Sequence, residues 1–398
     1  MHQRARLRVV TACLLAAGCS AGASHPATGT GDPPRTQAMA VRATAPPRLA
    51  SKIPGTDLLP GMPPPLDPHD IYAADRPGAL SPTVRDFRPL VYVPDSESAS
   101  VDVIDPLTDR IVEHFATGTN PQHITPSYDL KTLFVLNDRA NEVTEIDPAT
   151  GRPGRILPVT DPYNMYFTPD GRYAVVVAEA LRRLDFRDPH TMALRFSLPT
   201  PGCRGIDHAD FSGNGRYAIF SCEFNGRLIK IDMVDHRILR TLQLTGRSSP
   251  QDVKTAPDGH TVYVADQDAN GVWLINGDTF AVTGFIPTGL GAHGLYVSRD
   301  SQHLYVTNRL GESVSVVAFA QRAVVATWTI PNGTPDMGGL SIDGNALWLS
   351  GRYSREVYAI DTRTGKLLAR IHVGIQPHGL CIYPQPGRHS LGHTGVFR

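Results

Sequence analysis

From residue 90 onward, apolar positions fall in short runs that alternate with polar ones and break at tight turns. The stretch "LYVTNRLGESVSVV", Leu304 to Val317, shows the unit: Tyr305 and Val306, a polar turn Arg309-Leu310-Gly311-Glu312, then Val314 and Val316 alternating with serines. Period-two alternation predicts half-buried strands, and no segment sustains a helical period. The unit recurs seven times. Its marks are Tyr92-Val93-Pro94-Asp95, Phe134-Val135-Leu136-Asn137, Val176-Val177-Ala178-Glu179, Phe220-Ser221-Cys222-Glu223, Tyr263-Val264-Ala265-Asp266, Tyr305-Val306-Thr307-Asn308 and Trp348-Leu349-Ser350-Gly351, spaced by 42, 42, 44, 43, 42 and 43 residues. A fixed period of this size means stacked copies of one supersecondary unit that cannot bury its apolar face alone.

Each copy has the same internal order. A short strand such as Val253 to Ala256 leads into a Pro-Asp-Gly turn (Pro169-Asp170-Gly171, Pro257-Asp258-Gly259), where glycine supplies the backbone freedom a hairpin needs. The marked strand follows, then an alternating strand ending in an acid, as in Val101 to Asp105 or Val357 to Asp361. A fourth strand, such as Ile238 to Leu244 or Leu367 to Val373, closes the unit. Four strands per 40-odd residues, repeated seven times, predicts an all-β, seven-bladed β-propeller with four antiparallel strands per blade. The first copy, Leu90 to Pro94, lacks an inner strand, and the last inner strand, Pro377 to Tyr383, has no blade after it. The C-terminal inner strand is therefore expected to complete the N-terminal blade, removing open sheet edges.

These residues carry a resemblance. Tyr305-Val306-Thr307-Asn308, with the Pro-Asp-Gly turns and the aromatic-Val positions, resembles the YVTN family of β-propeller repeat proteins over roughly residues 90 to 383. The resemblance implies the propeller and says little about activity, since propellers host unrelated functions. Lactonases of the phosphogluconolactonase type and haem-binding propellers of some nitrite reductases have related repeats and use the central channel. The resemblance thus leaves two readings open: a non-catalytic module binding a small molecule or an envelope protein at the channel mouth, or a lactonase-like hydrolase or metal- or haem-dependent oxidoreductase.

The N-terminus changes the setting. Arg4, Arg6 and Arg8 precede an apolar run, Val9 to Ala17, and small residues lead to Cys19. A basic start, a short apolar core and small residues before the cut predict a signal peptide over 1–18, too short to span a membrane. Cys19 after Gly18 resembles a bacterial lipobox, which implies lipidation at Cys19 and anchoring to the outer face of the cytoplasmic membrane or the cell envelope. Residues 19–88, rich in Pro, Gly, Ala, Ser and Thr, read as a flexible tether, and 89–398 as the propeller with a short tail. Without the three arginines of the leader, 35 basic residues face 38 acidic ones. Such a near-neutral chain gives no large basic excess for nucleic acid, and a monomer is expected.

Of the remaining cysteines, Cys203 precedes an inner strand and Cys222 ends the strand beside it. In an oxidising compartment these two could form a disulfide or stay as buried thiols. Catalytic signatures such as Gly-x-Ser-x-Gly or His-Glu-x-x-His are absent. Candidate chemistry gathers instead at the starts of the seven inner strands. The first position there holds Gln122, Tyr163, Asp207, Gln251, His293, Asp336 and His378; the second holds His123, Asn164, His208, Asp252, Gly294, Met337 and Gly379. These positions should ring one channel mouth, so His123, Asn164, His208, Asp252, His293, Asp336 and His378 form the candidate ligand site. Imidazole and carboxylate are ordinary metal ligands. His123, His208 and Asp252 are the expected divalent-metal set, with His293 and His378 on the opposite arc; the competing use is to satisfy strand-end backbone groups. A further set, His378, Cys381, His389 and His393, has zinc-like spacing, but alternation along a strand should turn His378 and Cys381 to opposite faces. The tail is expected to pack against the closing blade.

Overall fold

Alternation and turn chemistry produce seven four-stranded antiparallel sheets, six of them consecutive meanders running from the channel outward. The computed structural model describes residues 57–393 and 396–398; the leader, Cys19 and the start of the tether lie outside them. Blade 1 combines Leu90–Asp95, Ser100–Asp105 and Arg110–Ala116 with Cys381–Tyr383 from the C-terminus as its inner strand. Leu90 pairs with Tyr383, Val91 with Ile382 and Tyr92 with Cys381, so the ring closes as the repeat register requires. The inner strands of blades 2 to 7 are Pro121–Pro126, Asn164–Phe167, Ile206–Phe211, Pro250–Thr255, Ala292–Val297 and Pro335–Leu340. All are buried along their whole length, whereas outer strands such as Arg110–Ala116 are largely exposed.

Seven separate apolar clusters hold the ring, one in each gap between neighbouring blades. Between blades 6 and 7, for example, Tyr305, Val314 and Trp328 meet Leu347, Leu349 and Tyr358. No blade has a core of its own, which is why the copies must close on one another. Cys203 and Cys222 are joined in a disulfide, with Cα atoms 5.0 Å apart, which staples the entry of blade 4's inner strand to the end of the next strand.

The pairing corrects the repeat register in two copies. The third inner residue pairs with Val306 in blade 6, with Val176 in blade 3 and with Phe220 in blade 4. Val175 and Ile219, not Val176 and Phe220, are therefore the equivalents of Tyr305. The valine run 175–177 carries no aromatic side chain to mark its register, so sequence spacing slipped there by one.

The segment 57–88 corrects the tether boundary. Leu59 is buried between blades 3 and 4, Ile71 and Tyr72 between blades 5 and 6, and Val84 between blades 1 and 2. The Tyr72 hydroxyl donates to the Thr255 carbonyl at 2.7 Å, and Asp75 is paired with Arg299. Scattered apolar residues, each dropping into a different gap, leave no periodic trace in sequence. The segment is part of the folded body.

Candidate functional site

Successive residues of a strand point to opposite faces, yet both the first and the second position of the inner strands contribute to the channel. The reason is a local irregularity. Pairing skips two residues on the inner strand between Pro121 and Ile124, Ile206 and Ala209, Pro250 and Val253, Ala292 and Leu295, and Pro335 and Gly338. The skipped pairs are the candidate positions themselves. A bulge of this kind re-aims side chains and frees a backbone N–H. The freed groups are met across blades: Ala209 N donates to Tyr166 Oη, Leu295 N to Asp252 Oδ2 and Gly338 N to Tyr296 Oη, at 2.7–2.9 Å.

That arrangement removes Asp252 from the expected metal set. Its Oδ1 accepts from Val253 N and its Oδ2 from Leu295 N, both at 2.9 Å, so the carboxylate couples blade 5 to blade 6. Asn164 is likewise taken up, accepting from Met165 N through Oδ1 and donating through Nδ2 to Tyr166 Oη. The histidines do converge. The ring of His123 lies 5.4 Å from His208 and 4.7 Å from His378, and His208 lies 6.0 Å from His293. Gly379 makes room for them, because a Cβ there would collide with the His123 ring.

A fifth imidazole arrives from the tail. Phe397 packs near the closing blade as expected, but Leu391 and Val396 join the cluster between blades 3 and 4. Phe167 N donates to the Leu391 carbonyl at 2.9 Å, laying the tail along the channel edge of blade 3's inner strand. His393 then sits 4.5 Å from the His123 ring and 4.9 Å from the His208 ring. Of the four residues with zinc-like spacing, only His378 and His393 reach the channel. Cys381 is a buried free thiol in the gap between blades 1 and 2, and His389 stacks on Tyr128. Two histidines in the last dozen residues were the only sequence signal for His393, and nothing local said where the tail would run.

Two triads result. His123, His208 and His393 each offer a ring nitrogen within 4.8 Å of the others, and so do donor atoms of His293, Asp336 and His378. In the first triad both nitrogens of His123, Nε2 of His208 and Nδ1 of His393 have no hydrogen-bond partner, although all three rings are fully buried. Buried polar atoms nearly always find partners, so three rings that each bring an unpartnered nitrogen within 4.8 Å of the others mark a place for a ligand. One of the rings, His393, has an outer hydrogen-bond partner, and a second, His208, has a carboxylate beside it. Asp207 Oδ1 lies 2.9 Å from His208 Nδ1, off the line of a good hydrogen bond, and Tyr166 Oη lies 3.0 Å from His393 Nε2. Tyr166 Oη already accepts from Ala209 N and Asn164 Nδ2, so its hydroxyl is the donor to His393 Nε2 in the metal-free protein, and ion binding at Nδ1 would require the ring proton to move to Nε2. Outer partners of this kind fix the tautomer of ligating histidines.

Burial holds His123, His293, His378 and His393 well below the ordinary imidazole range, helped by neighbouring cations. They are neutral at neutral pH, the form that ligates. His208 goes the other way: burial opposes its charge, but the Asp207 carboxylate outweighs it. With the register corrected, the residue after each second strand also forms a ring: Ser96, Asp138, Glu179, Glu223, Gln267, Arg309 and Arg352. One arc is acidic and the opposite arc basic. Burial, then the neighbouring carboxylates, push Glu179 and Asp161 up to about 7.

These shifts set an expected pH dependence for the metal-free protein. Asp95 (about 8), Asp161 and Glu179 (about 7) and Asp75 (about 6) are raised in the fold, chiefly by burial, above the ordinary carboxyl range. Their ionisation therefore costs stability at high pH, and the cost is relieved as pH falls through these values. The buried histidines are depressed, so below about 6.5 the unfolded chain takes up protons that the fold refuses, and stability falls again. The thermal midpoint should peak in a mildly acidic window, about pH 6–7. A midpoint that rises steadily from pH 6 to 8.5 would contradict this balance.

The family model of YNCE-like beta-propellers matches residues 77–386. The uncharacterized protein YncE of Salmonella typhi is 25% identical over 146 residues, 35% of this chain and 40% of that protein's own length. A functionally unknown protein from Desulfotomaculum acetoxidans is 17% identical with a TM-score of 0.62, covering 74% of this chain and 98% of that one. The dihydro-heme d1 dehydrogenase NirN, solved in complex with DHE, is 14% identical with a TM-score of 0.57, covering 80% and 78%. At these identities the structural likeness is one of fold.

Proposed function

The chain belongs to the YNCE-like beta-propeller family, and we propose that on this scaffold it works as an exported metal-binding module. The observation that carries the reading is the convergence of three buried rings, His123, His208 and His393, each with an unpartnered nitrogen. An all-imidazole set suits a first-row divalent ion of the zinc or copper kind. Burial keeps two of the three rings neutral, a phenol hydrogen-bonds to His393, and a carboxylate lies beside His208. Ligands drawn from blade 2, blade 4 and the tail also make ion binding a clasp across the ring, so binding free energy becomes folding free energy.

The test is metal content. The full chain, stripped with chelator and offered zinc or copper, should retain one ion per molecule after dialysis and melt at higher temperature when loaded. Retention of none, with no thermal shift across a panel of divalent ions, would sink the reading.

The setting we propose is the cell envelope. The YVTN-type repeats, the basic apolar leader and Cys19 argue for a lipid-anchored, monomeric protein. A Cys19→Ala variant should lose fatty-acid labelling and detergent partitioning together, because stable anchoring needs more than one acyl chain. Unchanged labelling in the variant would remove Cys19 as the anchor.

A further inference from the structure

Resting on the reading of the channel as a metal centre, we infer that His293, Asp336 and His378 form a second metal site whose place is held by the guanidinium of Arg309. Arg309 thereby sets how many ions the channel takes. The three side chains are buried, with donor atoms within 4.8 Å of one another, as in the first triad. Asp336 joins them: its Oδ1 lies 3.1 Å from His293 Nδ1, and its Oδ2 lies 3.5 Å from His378 Nε2.

The two triads differ in what fills them. Arg309 Nε donates to Asp336 Oδ1 at 2.7 Å, and Nη2 lies 2.6 Å from the same oxygen. Nη2 also donates to His293 Nε2, taking one of the two nitrogens of that ring. Nη1 is fixed on Gln267 Oε1 at 3.1 Å, and the side chain is almost fully buried. A buried carboxylate needs a cation, and here a side chain supplies it. In the first triad the facing nitrogens have no such partner. The mouth-ring residues on that side, Asp138, Glu179 and Glu223, are acids, and the cations Arg352 and Lys254 act on His123 and His393 through their charge. Arg309 occupies Asp336 Oδ1 and His293 Nε2 of the second triad, leaving Asp336 Oδ2 and His378 Nδ1 unpartnered, whereas the first triad is left for an ion.

The experiment counts ions. Full-length wild type, Arg309→Gln, Arg309→Lys and the double variant Arg309→Gln/His293→Ala are stripped with chelator, loaded with zinc and analysed for bound metal. Wild type and Arg309→Lys should bind one ion, because an ammonium keeps the charge in place. Arg309→Gln should bind two, and adding His293→Ala should return it to one. Since the glutamine strands the Asp336 carboxylate, that variant should melt low without zinc and recover with it, which keeps a poorly stable variant informative. Two ions in wild type, no extra ion or zinc-dependent recovery in Arg309→Gln, or an extra ion that survives His293→Ala would each overturn the inference. No ion in wild type with one in Arg309→Gln would uphold it while sinking the reading of the first triad. If neither binds, both fall.

Discussion

Alanine at position 393 is expected to lower metal affinity by at least about 100-fold while leaving the propeller folded. Loss of a residue that merely orients a ligand already costs roughly 10–100-fold, and His393 supplies a donor directly. His123→Ala and His208→Ala should match it. Two controls separate ligation from structure. His389, four residues earlier in the same tail, stacks on Tyr128 outside the triad, so His389→Ala should retain the ion. Asp252 accepts from Val253 N and Leu295 N, so Asp252→Ala strands two buried donors at about 1–3 kcal/mol each. It should therefore depress the melting temperature far more than the affinity. Equal metal loss in His389→Ala and His393→Ala would mean that the tail acts by packing and not by ligation.

Deleting residues 57–88 should have the largest effect on stability. The segment puts Leu59, Ile71 and Val84 into three different gaps between blades. Each such side chain is worth about 1.5–3 kcal/mol on burial, which together approaches the roughly 5–15 kcal/mol net stability of a domain. Polar ties go with them. The Thr255 carbonyl loses the Tyr72 hydroxyl, and Arg299 loses the Asp75 carboxylate. Breaking a buried pair by removing one partner leaves an uncompensated charge. Thermal melts of the full chain and the deletion should differ by well over 10 °C, or the deletion should aggregate. A shift under about 2 °C would return the segment to the status of a tether.

Much of the architecture was legible without coordinates. Repeat number, strand order and ring closure follow from a 42- to 44-residue period and from a first copy that lacks an inner strand. Those are local properties of the chain, written once per blade in turn residues and period-two alternation. The convergence of His123, His208, His293 and His378 was legible for the same reason, since equivalent positions in a closed ring must face one axis.

What the sequence could not assign was decided by contacts between distant segments. Asp252 and His208 occupy the same repeat position, yet one couples two blades and the other faces His123 and His393. The choice depends on the backbone N–H that the neighbouring blade's bulge leaves unpaired. His393 is brought to the triad because the tail pairs with the inner edge of blade 3, and Arg309 enters the second triad by reaching from the end of blade 6's second strand to Asp336 at the start of blade 7's inner strand. Alternation and turns act over a few residues and can be read one repeat at a time. The partners of a buried carboxylate or imidazole are settled only when the ring closes and each polar atom must be satisfied by whatever the other blades bring within reach.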